Sequence, residues 1–198
     1  MAKQLNWLQL DRTIRQRGLS LFSPQDLRHL LGASELSVRF LLTRATKRGD
    51  VLKLRRELYT LPDRPASDLE IANQLYRPSY VSFEYALAYH HLIPESVYEV
   101  TSATTRTSRR FEALGKGFTY RRIKPAMFTG YRPERVGGRV VLIAEPEKAL
   151  VDCLYFASLG RLTLPERLDP SQLRPDRLRA WAVLYQRPEL VDPLRVSA

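Results

Sequence analysis

Apolar residues Val38, Leu41, Leu42 and Ala45 recur at spacings of three and four, the signature of one buried helical face over residues 34–48. Gly49 follows, where a left-handed residue can end the helix at little cost. Residues 51–54 and 57–61 then read as two short strands around a basic turn, Arg55-Arg56. Upstream, a first helix over 6–18 has Trp7, Leu8, Leu10 and Ile14 as inward candidates, and Ser20-Leu21-Phe22 is extended. Ser23 caps the next helix: Pro24 takes its first position and Asp26 stands three residues on. That helix, over 24–31, turns Leu27, Leu30 and Leu31 inward and stops at Gly32, after which Ser34 opens the longer helix. Short helix, glycine turn, longer helix and basic hairpin is the order of a winged helix-turn-helix.

A second set of elements follows a proline-rich joint near Pro65, which sets domains of 1–65 and 66–198. Ser67 is read as the cap of a helix over 68–76 that buries Leu69, Ile71, Ala72 and Leu75. Tyr80-Val81 is extended, and Ser82 is read as the cap of the helix FEYALAYHHL. Residues 97–103 alternate as a strand, and a turn at 114–117 leads into a strand over 118–123. Two strands flank Gly137-Gly138, one about Tyr131 and one over 139–143. Pro146 opens a helix to about residue 159. A last helix covers 175–186, and residues after Pro188 read as a docked or frayed tail. The expected class is α+β: an N-terminal winged helix-turn-helix, then a mixed α/β domain with a small, mainly antiparallel sheet and flanking helices.

Charge changes this picture by its distribution. The net charge is +11. Residues 1–65 hold 13 Lys/Arg against 6 Asp/Glu, residues 66–100 hold 1 against 5, and residues 101–135 hold 9 against 2. Two basic regions thus bracket an acidic one, which suggests a polyanionic partner for at least one of them. No apolar run reaches the roughly 18 residues that a membrane helix needs. The N-terminus lacks a secretory apolar core, and the single Cys153 suits a reducing cytoplasm.

In a winged helix the third helix enters the major groove and the wing tracks the backbone. The candidate base-reading side chains are Ser34, Ser37, Arg39 and Thr43, with Thr46 beside them; Lys47, Arg48, Arg55 and Arg56 suit phosphate contacts. A charged, solvated face on a three-helix bundle, or a surface that meets only protein, accounts for the same residues.

Other chemistry is weaker. His90 and His91 point about 100° apart on a helix, and the third histidine, His29, lies in the other domain, so a packed or surface pair is preferred to a metal site. Gly115-Lys116-Gly117 lacks P-loop spacing and fits a hairpin turn. Glu145, Glu147 and Lys148 motivate a metal-dependent nuclease fused to a winged helix, but their spacing at a proline turn departs from a Glu-x-Lys strand. Glu145 and Glu147 also suit a helix N-terminus for electrostatic reasons alone.

The Ser82-led helix ending Leu92-Ile93-Pro94, the Val-Tyr-Glu-Val-Thr strand from Val97, the Thr-Ser-Arg-Arg cluster and the junction Glu145-Pro146-Glu147-Lys148-Ala149-Leu150-Val151-Asp152 resemble the AbiEi antitoxin family of bacterial toxin–antitoxin systems. The resemblance spans about residues 6–159 and is most specific over 80–156. It implies a winged helix that represses its own operon, on double-stranded operator DNA with inverted repeats. It also implies a C-terminal domain needed against a nucleotidyltransferase-like toxin, with no enzyme activity and no cofactor. The antitoxin task is assigned to Arg106, Arg109, Arg110, Lys116, Arg121, Arg122 and Lys124, because nothing in the predicted fold requires their charge. An orphan regulator without antitoxin activity is the remaining alternative.

Overall fold

Leu10 and Ile14, one helical turn apart, anchor α1 (Trp7–Gln16), whose N-terminus is closed by the Asn6 side chain accepting from the Leu8 amide at 3.0 Å. Leu8 itself is exposed, contrary to expectation. It lies two residues from Leu10, about 200° around the helix, so both cannot face one core. The computed structural model describes residues 6–194, and the tail reading beyond 194 lies outside them. The chain divides into two compact units between Ser67 and Asp68, two residues past the boundary drawn after residue 65.

In the N-terminal unit, β1 (Leu21–Phe22) precedes α2 (Pro24–Leu31). Ser23 and Asp26 form a reciprocal capping box, with Ser23 N–H donating to Asp26 at 2.8 Å and Asp26 N–H to Ser23 Oγ at 3.2 Å. Gly32 closes the helix with φ 60°. α3 (Glu35–Arg48) buries Val38, Leu41, Leu42 and Ala45 and stops at Gly49, φ 81°. β2 (Leu52–Arg55) and β3 (Leu58–Thr60) form the hairpin, and the sheet order is β1-β3-β2, all antiparallel. Arg55 pairs with Leu58, so the turn is Arg56-Glu57 and not Arg55-Arg56; Glu57 takes the left-handed φ of 65°. Leu10, Ile14, Phe22, Leu27, Leu42 and Leu61 are among the side chains of one core that draws on all three helices and the sheet.

The C-terminal unit begins with α4 (Asp68–Leu75). It continues through β4 (Ser79–Val81), α5 (Phe83–Tyr89), β5 (Val100–Thr104), β6 (Arg109–Ala113), β7 (Lys116–Arg122), β8 (Tyr131–Val136), β9 (Arg139–Ala144), α6 (Pro146–Ser158) and α7 (Pro175–Leu184). Its six strands run β6-β7-β5-β4-β9-β8, with β4–β9 and β5–β7 parallel and the other pairs antiparallel. Among the described residues the chain is therefore α+β, with seven α-helices and sheets of three and six strands. The larger sheet is wider than the small one expected, and three of its five strand pairings are antiparallel. β6 escapes sequence pattern because it is an edge strand whose residues are mostly exposed. β5 lies at 100–104 and not 97–103, and all five of its residues are buried, so alternation was no guide.

Ser82 departs from its expected capping role. Its hydroxyl donates to Asp152 at 2.6 Å and accepts no α5 amide, and Phe83 enters the helix with φ 58°. Thr101, on neighbouring β5, supplies the missing partner: its hydroxyl accepts the Tyr85 amide at 3.1 Å and donates to the Ser82 carbonyl at 2.7 Å. No helix among the described residues is long and apolar enough to cross a membrane.

Candidate nucleic-acid interface

The buried face of α3 fixes what the opposite face presents. At about 100° per residue, the line directly opposite Ala45 and Val38 runs through Leu36, Phe40, Thr43 and Lys47, with Arg39 and Arg44 on its flanks. Leu36 and Phe40 are 64% and 59% exposed. Neither was expected at the interface.

The expected polar readers are largely engaged. Ser34 caps α3, accepting the Ser37 amide at 3.2 Å, and the two hydroxyls share a 2.8 Å hydrogen bond. Arg39 donates from Nε to Glu35 at 2.9 Å and from its fork to both Glu57 oxygens, at 2.8 and 3.2 Å. Those two carboxylates, Glu35 first, raise the Arg39 pKa further. Thr43 donates to the Arg39 carbonyl at 2.9 Å, and half-buried Thr46 does likewise to Leu42 at 2.8 Å. Lys47 is exposed, while Arg48 pairs with Asp50 at 2.7 Å. On the hairpin, Arg55 is half-buried with its Nε shielded and unpartnered, and Arg56 stands exposed at the turn. The Arg39–Glu57 fork fastens that turn to α3, so Arg56 lies beside the helix's basic flank.

The second basic set is not one surface. Arg110 pairs with Glu99 at 2.6 Å and Glu112 at 2.8 Å, Arg121 with Glu84 at 2.6 Å, and Lys116 with Asp68. Arg121 also lies over the Phe83 ring at 4.7 Å, and Arg106 over Tyr76 at 4.6 Å. Asp68, Glu84 and Glu99 all come from the acidic span 66–100, so the fold gives acidic partners to three of the seven cations assigned to the antitoxin task. Arg109, Arg122 and Lys124 remain exposed without an acidic partner among the described residues. Arg109 stands opposite Tyr120 and so shares a sheet face with it and Arg122, whereas Arg110 and Arg121 belong to the other face.

The junction after β9 is a buried network. Lys148, fully buried on α6, donates to Tyr80 at 2.9 Å, to Tyr185 at 3.1 Å and to Asp152. Asp152, also fully buried, accepts further from Ser82, Tyr185 and Tyr80. Burial lowers the Lys148 pKa against the pull of Asp152; burial and then the Asp152 charge raise those of Tyr80 and Tyr185. Glu145 is held by Arg132 and Arg177, and Glu147 accepts the Arg174 amide at 3.3 Å. His90 bonds the Ala144 carbonyl at 2.8 Å, and among the described residues no cluster of His, Cys, Asp and Glu has metal-holding geometry.

No protein-family model matches the chain, and no curated protein does. Among solved structures, the chain is similar to the RV2827C protein from Mycobacterium tuberculosis. The TM-score is 0.64 at 14% identity, over 99% of this chain and 80% of that one. The likeness is one of fold.

Sequence reasoning missed Leu36, Phe40, Arg44 and Glu57. The first three were legible from the helical phase of the buried stripe, since 36, 40, 43, 44 and 47 form its complement. Glu57 was not, because its pairing with Arg39 depends on how the hairpin folds back.

Proposed function

We propose that the chain is a cytoplasmic DNA-binding antitoxin that represses its own toxin–antitoxin operon, with the N-terminal unit a winged helix and α3 its recognition helix. One observation carries the reading: α3 buries one face in a three-helix core and leaves the opposite face open, with the basic turn of an antiparallel hairpin clamped alongside. The β1-β3-β2 order, with α2 and α3 between β1 and the hairpin, supports the winged-helix assignment. The N-terminal charge excess suits a duplex partner.

The antitoxin half rests on the resemblance of residues 80–156 to the AbiEi family, and the partner it implies is a nucleotidyltransferase-like toxin. Arg109, Arg122 and Lys124 are the cations of the basic set left open for that task. The nuclease reading is less well supported, because Glu145, Glu147 and Lys148 are all occupied by partners within the fold.

A mobility-shift assay on the DNA upstream of the gene tests the first half. A discrete complex that competitor DNA does not displace is expected; binding no tighter than to scrambled duplex contradicts it. Co-expression with the toxin encoded alongside tests the second half. Growth restored by the full chain is expected, and continued growth arrest contradicts the antitoxin role.

A further inference from the structure

Two large apolar side chains lie where a recognition helix meets base edges, and the N-terminal core uses neither of them. Leu36 and Phe40 sit one turn apart in the first half of α3, both largely exposed and absent from the core cluster. The polar groups around them are committed: Ser34 and Ser37 to the cap, Thr43 to the Arg39 carbonyl, and Arg39 to Glu35 and Glu57. What the centre of this face offers a ligand is therefore an apolar pair followed by Lys47, with Arg44 to one side.

We propose that Leu36 and Phe40 read thymine, by packing against C5-methyl groups in the major groove. The inference rests on the DNA-binding reading above and names the base feature that α3 recognises. Of the four bases only thymine presents an apolar group in that groove. The frame around the pair is cationic, which suits a polyanion. A protein partner is the poorer fit, because charge is depleted at the centre of protein interfaces and a stable one buries roughly 800 Å² per side, far beyond two side chains. The same placement gives Arg44, Lys47 and Arg56 the role of holding phosphates while apolar contact selects the base.

Deoxyuridine differs from thymidine only by the missing methyl, so it isolates this contact. The full chain is used to select a preferred duplex from a randomised pool, and each thymine of that duplex is then replaced in turn by deoxyuridine. One or two positions are expected to lose about fourfold in affinity, the effect of one buried methyl-sized group. Leu36→Ala and Phe40→Ala should weaken binding to the thymine duplex by a similar factor. Each should also make binding indifferent to deoxyuridine at the position that residue contacts. Both side chains are exposed, so thermal unfolding midpoints should stay at the wild-type value. Selection of a sequence that binds equally well with deoxyuridine throughout overturns the proposal and leaves DNA binding standing. So does full affinity in both alanine variants, or loss of toxin binding instead of DNA binding. A pool that yields no preferred sequence overturns the DNA-binding reading and this proposal with it.

Discussion

Arg39 on α3 grips Glu57 at the hairpin turn through a two-pronged ion pair, 2.8 and 3.2 Å long. The pair ties the hairpin turn to α3, and on the proposed DNA-binding reading it places a carboxylate where phosphate would come. Glu57→Gln removes that charge and leaves the guanidinium with Glu35 as its one carboxylate partner. DNA affinity is expected to rise about twofold to fivefold on every sequence, the scale of one exposed ion pair. Anisotropy titration checks it, and adding Arg39→Ala should cancel the gain.

The Lys148–Asp152 pair should behave as a unit. Removing one partner strands a fully buried charge, so Lys148→Met or Asp152→Asn alone should cost about 3–5 kcal/mol. The double change Lys148→Met/Asp152→Asn should cost much less than the sum, because no charge is left without its partner. Urea unfolding of the four proteins reads the coupling directly.

Gly130 is expected to tolerate no side chain. Its φ is +75°, and a Cβ there would meet Lys148 Cγ at 2.8 Å and Trp181 Cζ2 at 2.9 Å. Its carbonyl also accepts the Glu145 amide at 2.8 Å, which ties the loop to the start of α6. Gly130→Ala combines overpacking with a left-handed alanine and should lose about 2–4 kcal/mol. The thermal midpoint of the C-terminal transition checks it.

Asp63 ties the segment after β3 to α1 through Arg15, at 2.7 Å. The Arg15 hydrogen bond holds the Asp63 carboxyl below its ordinary value of 3.8. A depressed folded pKa gives stability that is present above 3.8 and lost as pH falls through the lower folded value. Asp63→Asn should therefore be less stable than wild type by a constant margin near neutrality, and the margin should close only in strong acid. Denaturant midpoints measured across pH 2–7 check it.

Where local chemistry decides, the sequence reads clearly. Ser23, Pro24, Asp26 and Gly32 bound α2, and Ser34 and Gly49 bound α3, because caps and left-handed stops act over a few residues. Ser82 carries the same cap signal, yet Asp152, 70 residues away, takes its hydroxyl. The parallel pairs β4–β9 and β5–β7 are equally non-local, which is why the width of the larger sheet was not legible. The charge pattern showed two basic regions, but only the fold pairs Arg110, Lys116 and Arg121 with Glu99, Asp68 and Glu84. Of the candidate interface, the helix and hairpin were legible. The side chains at its centre, Leu36 and Phe40, are apolar, whereas hydrogen-bonding to base edges points to polar residues.

Salt dependence tests the central claim most directly. Binding of the full chain to its upstream duplex should weaken steeply with salt, the logarithm of affinity falling linearly with a slope of about −0.9 per phosphate neutralised. Replacing Lys47 and Arg56 with alanine should flatten that slope by about two and weaken all duplexes alike. An affinity that barely changes between low and moderate salt, or a slope that the Lys47→Ala/Arg56→Ala protein leaves intact, would contradict a DNA-binding role for α3 and its hairpin.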